Sequence, residues 1–207
     1  MAKLQLALDF SDLNKALAVA EASSQYVDFL EAGTPLIKSE GLRAVKELKT
    51  RFPDKLVVAD MKTMDTGAFE TGLAADAGAD VTTVCGAADI ATIQGAIGEG
   101  RKRGIAVAVD IINVPVEKWK EIDSLGPDYI ILHVGIDQQQ RGVSLFALLK
   151  KLKVKSKIMV AGGITAGNVQ DAVKAGAEVV IVGGAITKAK DPAKAAKEIK
   201  EAIDLEE

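Results

Sequence analysis

Short apolar runs alternate with helix-like segments along the whole chain, and this alternation predicts the fold. The runs are rich in Val, Ile and Leu, as is typical of strands that are buried on both faces of a parallel sheet. They lie at residues 4–8, 26–30, 56–59, 81–84, 105–109, 129–132, 157–160 and 179–182.

The segments between the runs show apolar residues at helical spacing. Helices are predicted near residue 12, at 40–52 and at 90–103. The last helix is predicted to begin with Asp191 as its N-cap and Pro192 at its first position. Eight strand–helix units in 207 residues predict an α/β fold, a (β/α)₈ TIM-type barrel that forms one domain over residues 1–207.

Composition narrows the classes of function. A net charge of −3 argues against a nucleic-acid-binding or membrane-surface protein. No apolar run reaches the roughly 20 residues that span a bilayer, and one cysteine excludes an intramolecular disulfide, so a cytoplasmic location is expected. Because His133 is the one histidine, a three-histidine zinc site is excluded. Carboxylates would have to bind any metal, which favours Mg²⁺, with Mn²⁺ as a second candidate.

Ionisable residues stand where five of the predicted strands end, and in this fold the strand ends form the active site. A single strand-end aspartate is commonly a helix cap, but a convergent set favours a catalytic site. His133 could also be a buried core histidine, although its strand-end position favours an acid/base role. The five residues are Asp9, Glu31, Asp60, Asp110 and His133.

The segment Asp60-Met61-Lys62-Thr63-Met64-Asp65 follows the third strand. If the backbone stays extended, Asp60 and Lys62 point to the same side, whereas Asp65 could close on the same site or on a neighbouring subunit. Alternating charges raise the lysine pKa and lower the aspartate pKa values. Such a lysine suits an anionic intermediate or proton delivery better than a neutral nucleophilic amine. Taken alone, the segment could also be a solvated charged turn.

Two glycine pairs follow the last two strands, Gly162-Gly163 and Gly183-Gly184. Loops in these positions commonly bind phosphate in barrels, because glycine lets backbone amides approach the anion. The pairs therefore predict a phosphorylated substrate. Cys85 has no basic neighbour in sequence and is predicted to be structural.

These motifs resemble the orotidine monophosphate decarboxylase suprafamily and, within it, the 3-hexulose-6-phosphate synthase family. The resemblance covers nearly the whole chain. It is carried by the segments 31–37 (EAGTPLI), 60–65 (DMKTMD), 133–139 (HVGIDQQ), 161–164 (AGGI) and 182–187 (VGGAIT).

A related family, the 3-keto-L-gulonate-6-phosphate decarboxylases, shares most of this pattern. Those enzymes typically have Glu at the fifth strand end, Arg three residues after the histidine and Thr before the first glycine pair. This chain has Asp110, Ile136 and Ala161 in those positions, which is the synthase pattern. It also lacks the Arg with which orotidine monophosphate decarboxylase grips phosphate after the strand-eight glycines.

The resemblance implies a reversible aldol reaction, in which formaldehyde adds to D-ribulose 5-phosphate through a 1,2-enediolate to give D-arabino-3-hexulose 6-phosphate. It implies that Glu31 and Asp60 bind Mg²⁺, that Lys62 stabilises the enediolate and that His133 moves the proton. Asp110 would order a nearby water.

The same resemblance implies that Asp9 and Asp65 hold sugar hydroxyls and that the glycine pairs hold the phosphate. Asp65 would come from the partner subunit of a homodimer whose active sites lie at the subunit interface. Three alternatives stay open: a Schiff-base aldolase that uses Lys62, the keto-gulonate phosphate decarboxylase, and a non-catalytic barrel that binds a sugar phosphate.

Overall fold

The computed structural model describes residues 1–205 and forms one closed barrel of parallel strands in chain order. β1 pairs with both β2 and β8, which closes the sheet. The predicted (β/α)₈ fold is confirmed. The predicted domain also includes residues 206 and 207, which lie outside the described part of the chain. The strands are β1 Lys3–Leu8, β2 Phe29–Ala32, β3 Leu56–Thr63, β4 Val81–Cys85, β5 Ala106–Asp110, β6 Tyr129–His133, β7 Lys157–Ala161 and β8 Val179–Val182.

Helices cover the outside of the barrel. Asp12, Asp89 and Asp191 cap the starts of α1, α5 and α11 by accepting backbone N–H bonds. No helix within residues 1–205 is long and apolar enough to cross a bilayer. The helices are α1 Leu13–Ser23, α2 Thr34–Glu40, α3 Arg43–Arg51, α4 Gly67–Asp76, α5 Ile90–Arg103, α6 Trp119–Ser124, α7 Ile136–Gln140, α8 Leu145–Leu149, α9 Val169–Lys174, α10 Gly184–Thr187 and α11 Pro192–Asp204.

Three predicted elements differ from the structure. One is the third strand, predicted over 56–59, which continues to Thr63 as β3. The predicted helix 40–52 is wrong at its start: Gly41, with φ +63°, ends α2, and α3 begins afresh at Arg43. A left-handed glycine of this kind is a common helix stop. The predicted strand 26–30 begins too early, because residues 24–26 form a 3₁₀ turn before β2.

Strand alternation positions the functional residues. The inside of the barrel is filled by an apolar layer that includes Phe29, Val58, Ala108 and Ile131. Side chains two residues further along the same strands face the same way. The inward positions after the apolar layer are therefore charged or polar, namely Glu31, Asp60, Asp110 and His133, and we call this end of the barrel the mouth.

Candidate active site

The mouth holds a connected chain of ionisable groups. Nζ of Lys62 lies 2.6 Å from Oδ2 of Asp60 and 3.4 Å from Oδ2 of Asp110. Nδ1 of His133 lies 2.9 Å from the same Asp110 oxygen. The buried carboxylates of Asp60 and Asp110 thus hold a lysine and a histidine side by side. The fold brings together four of the predicted site residues from three different strands.

The backbone conformation that brings Lys62 to this position is not indicated by the sequence. The condition of an extended backbone through Lys62 is not met: its φ is +46°, and the β3–β4 register shifts between Ala59 and Thr63. A non-glycine residue in this conformation stores about 1–3 kcal/mol of strain. Thr83 on β4 stabilises the bulge, since its hydroxyl accepts the Lys62 N–H at 2.9 Å and donates to Asp60 at 2.8 Å.

Uncharged side chains complete the environment of Asp60. The pattern of charged residues at the strand ends does not predict them. The Thr34 hydroxyl donates to Oδ2 of Asp60 at 2.7 Å, while Thr83 binds Oδ1. Burial alone would raise the Asp60 pKa, but Lys62 and the hydrogen bonds from Lys62, Thr34 and Thr83 outweigh it and lower that pKa. Strand alternation could have predicted the position of Thr83, because it lies two residues after Val81 and therefore faces the inside of the barrel.

Lys62 is a fixed cation. Burial would lower its pKa, but the carboxylates of Asp60, Asp110 and Glu31 raise that pKa above the ordinary lysine value. The directions expected for Asp60 and Lys62 agree with this geometry. An amine held in its charged form is a poor nucleophile, and this argues against a Schiff base at Lys62.

The pKa values of Glu31 and Asp9 are raised, whereas that of Asp60 is lowered. Burial is the main cause that raises the Glu31 pKa well above its ordinary value, and Asp60 and Asp9 add to it. Desolvation and Asp60 likewise raise the Asp9 pKa. The structure packs Asp9 closely against the chain, since a Cβ at Gly33 would overlap its carboxylate. This corner of the mouth therefore holds more carboxyl groups than the single cation Lys62 offsets.

This excess of carboxylate oxygen fits a hard dication. Within residues 1–205, no group of three or more His, Cys, Asp or Glu side chains is close enough to hold a metal. A two-carboxylate site is still what Mg²⁺ commonly uses, with water or substrate oxygens filling the remaining positions. Glu31 and Asp60 suit such a site because both are buried, inward-facing and adjacent to the open mouth.

The two glycine pairs lie at the mouth beyond β7 and β8. Gly162 and Gly163 have φ of +117° and +68°, and a Cβ at Gly162 would overlap the Val134 carbonyl oxygen. Gly183 precedes the short helix α10. A Cβ at Gly183 would come within 3.7 Å of Oδ2 of Asp9. This arrangement matches the phosphate-binding position common to such barrels, which lies next to a short extra helix.

Asp65 and Cys85 are not part of this chain of ionisable groups. Asp65 is exposed and accepts the N–H of Thr66 at 2.7 Å, and no contact between it and Lys62 is found within residues 1–205. The Cys85 thiol contacts the Lys62 carbonyl oxygen at 3.3 Å. Burial and Asp110 raise the Cys85 pKa to about 11, so the side chain is an uncharged thiol, consistent with a structural role.

A family model matches most of the chain. The model for the orotidine 5'-phosphate decarboxylase/HUMPS family matches residues 2–199. The chain belongs to this family. Two curated relatives in the family are the 3-hexulose-6-phosphate synthases of Bacillus subtilis and Mycobacterium gastri. They are 45% and 43% identical to the chain, and the matches cover 97% of this chain with 98% and 99% of the relatives.

Solved structures within the family agree. A crystal structure of a 3-hexulose-6-phosphate synthase superposes with a TM-score of 0.92 at 42% identity, covering 97% of this chain and 99% of the other. A 3-keto-L-gulonate-6-phosphate decarboxylase from Vibrio cholerae gives 0.87 at 30%, covering 98% and 97%. The resemblance to the synthases is confirmed, and with it the prediction of a lyase of the aldolase type.

Proposed function

We propose that the chain catalyses the reversible aldol addition of formaldehyde to C1 of D-ribulose 5-phosphate, giving D-arabino-3-hexulose 6-phosphate. The observation that carries the proposal is the Lys62 ammonium held between Asp60 and Asp110 in the barrel mouth. The similarity to named synthases supports this reaction over others in the family.

The first step needs a base and a fixed positive charge. Nδ1 of His133 is 2.9 Å from Asp110, and a carboxylate can only accept a hydrogen bond. Nδ1 therefore carries the hydrogen, and Nε2 of the neutral imidazole is left to take a proton from C1. The electron pair moves onto the C2 oxygen and forms the 1,2-enediolate. Lys62 stabilises the developing negative charge without reorganisation, because the two aspartates already fix its position.

The second step forms the carbon–carbon bond. C1 of the enediolate attacks the formaldehyde carbon, the C2 carbonyl is restored, and the new alkoxide takes a proton from the protonated His133. Asp110 stabilises the imidazolium between the two transfers, and orders a nearby water. Asp9 holds a sugar hydroxyl, and the backbone amides at Gly162, Gly163, Gly183 and Gly184 hold the phosphate.

Glu31 and Asp60 would hold Mg²⁺, or Mn²⁺ in its place, beside Lys62. Bound there, the ion would supply further positive charge for the enediolate oxygens. Asp60 would then serve both the ion and Lys62. Its hydrogen bonds from Thr34 and Thr83 keep it ionised and in one orientation for both tasks.

Adding Mg²⁺ is expected to stabilise the wild type but not Glu31→Gln. The raised pKa of Glu31 means that the folded state holds its proton more tightly than the unfolded state. Stability from this group is therefore present at acid pH and lost as pH rises from the ordinary carboxylate range through the raised value.

At neutral pH without metal, Glu31→Gln should therefore unfold at a higher temperature than the wild type. Thermal unfolding at pH 5 and pH 8, with EDTA or with Mg²⁺, measures both effects. A Glu31→Gln protein that gains as much from Mg²⁺ as the wild type would remove Glu31 from the metal site.

We propose a homodimer in which Asp65 enters the partner's active site. Asp65 sits on the surface, and three large apolar residues near it in sequence are exposed as well: Met64 at 54%, Phe69 at 69% and Leu73 at 38%, which we call the apolar patch. Phe69 and Leu73 are four residues apart on α4 and so share one face. A second copy covering this patch would bury it and bring Asp65 towards a second mouth.

A cytoplasmic location also stays a prediction, based on the single cysteine.

Parallel assays distinguish the proposed reaction from its alternatives. Ribulose 5-phosphate should be consumed only when formaldehyde is present, and 3-keto-L-gulonate 6-phosphate should lose CO₂ far more slowly. Faster decarboxylation than aldol turnover would identify the keto-gulonate phosphate decarboxylase instead. Borohydride trapping of substrate on Lys62 would establish a Schiff base, and ligand binding without either turnover would establish a non-catalytic barrel.

A further inference from the structure

Gln5 is a buried amide at the centre of the barrel for which the reaction described above has no role. It lies on β1, is 1% exposed, and pairs in register with Phe29 and Ile181. Its side chain shares the inward face of β1 with Ala7, a member of the apolar layer inside the barrel. An amide in such surroundings costs free energy unless hydrogen bonds compensate for its burial.

One hydrogen bond connects this amide to the mouth. Nε2 of Gln5 donates to Oε2 of Glu31 at 2.5 Å, whereas Oε1 of Gln5 is buried without a partner among residues 1–205. The unpartnered Oε1 of Gln5 costs free energy, and the one side-chain hydrogen bond that this amide makes among residues 1–205 is the bond to Glu31. What the amide supplies at this position is therefore a donor to one oxygen of Glu31.

The bond makes the two carboxylate oxygens of Glu31 different from each other. Oε2 is held from inside the barrel by Gln5. Oε1 accepts no hydrogen bond from residues 1–205, yet it is not among the fully buried atoms that lack a partner. It is therefore the oxygen that faces the mouth. Glu31 pairs with Ala7 in register, one inward step beyond Gln5, so Gln5 lies beneath the carboxylate.

We propose that Gln5 is a positioning residue, which holds Oε2 of Glu31 so that Oε1 is presented to a divalent cation, and which thereby sets the metal affinity of the mouth. The inference rests on the proposed function, because that function supplies the metal. Hydrogen-bond partners that orient a metal ligand change metal affinity by about 10–100-fold when they are removed.

Replacing Gln5 by Met removes the donor and keeps the length and approximate volume of the side chain. Mn²⁺ binding to Gln5→Met, measured from the paramagnetic resonance of the free ion, is expected to be about 10–100-fold weaker than in the wild type. At saturating Mg²⁺, kcat for the aldol reaction should return close to the wild-type value. The melting temperature should change little, because the orphaned Oε1 of Gln5 is gone while Oε2 of Glu31 loses its donor.

Ser23→Ala is the matched control. The Ser23 hydroxyl is the other buried side-chain group without a partner in the described chain, and it lies at the end of α1 that leads towards β2, away from the mouth. This variant should change stability alone. A second variant, Gln5→Leu, guards against a packing defect that is specific to Met.

Two results would overturn the inference. One is wild-type Mn²⁺ affinity in both Gln5→Met and Gln5→Leu. The other is a loss of affinity that appears only with a large fall in melting temperature in both variants. The function is tested separately. If the wild type is active and its Mn²⁺ affinity is the same as that of the Gln5 variants, the inference about Gln5 is refuted and the aldol reaction is not. If the wild type is inactive and the Gln5 variants bind Mn²⁺ more weakly than it does, the aldol reaction is refuted and the inference is not.

Discussion

Replacing Lys62 by Met is expected to lower kcat for the aldol reaction by at least about 10²–10³-fold, the usual effect of removing one preorganised group that stabilises an oxyanion. Substrate binding should suffer less, because Lys62 acts mainly on charge that develops after binding. The variant should also unfold more easily, since Asp60 and Asp110 lose their shared counter-charge. Steady-state kinetics below its melting temperature separate these effects.

Lys49→Met provides the control for this experiment. Lys49 also pairs with an aspartate, Asp80, at 2.9 Å, but that pair precedes β4 at the opposite end of the barrel from the mouth. Its loss should cost stability and leave kcat unchanged. A Lys62→Met enzyme within tenfold of the wild-type kcat would contradict the enediolate role of Lys62.

Mixing two inactive variants is expected to restore activity. Lys62→Met and Asp65→Ala should each be nearly inactive alone. If Asp65 serves the partner's mouth, a mixed dimer has one mouth with both residues mutated and one mouth with both intact. Random exchange of subunits makes half the dimers mixed, so roughly a quarter of the wild-type activity should return.

Co-refolding of equal amounts of the two variants, followed by the formaldehyde-dependent assay, measures this recovery. Lys62→Met mixed with His133→Ala is the control: both residues belong to the same chain's mouth, so no intact site can form through an exchanged Asp65. If the first mixture also stays inactive while size measurements show mixed dimers, Asp65 does not act across an interface.

Much of the fold could be predicted because two sequence patterns are clear: short apolar runs for the strands and apolar residues at helical spacing between them. The runs at 81–84 and 179–182 are short and strongly β-branched, and they form β4 and β8 with at most one residue of difference. The strand-end rule then placed Asp60, Asp110 and His133 at one mouth. Apolar spacing continues across Gly41 and predicts one helix at 40–52, but the left-handed backbone of Gly41 ends α2 there.

The remaining features depend on tertiary contacts. The bulge at Lys62 is stabilised by Thr83 from another strand, and no local pattern reports that contact. Thr34 and Gln5 are uncharged, so the pattern of titratable strand ends does not include them, although both donate hydrogen bonds to carboxylates in the mouth. Asp65 is a different case, since its proposed partner atoms belong to a second chain.

Exchange of the C1 hydrogen of ribulose 5-phosphate tests the central claim most directly, because it reports the enediolate before formaldehyde is involved. In D₂O with Mg²⁺ and no formaldehyde, the wild type is expected to place deuterium at C1, as followed by proton magnetic resonance. Lys62→Met should slow this exchange by about 10²–10³-fold. Exchange at the wild-type rate in Lys62→Met, or aldol turnover by a wild type that never exchanges C1, would contradict the account.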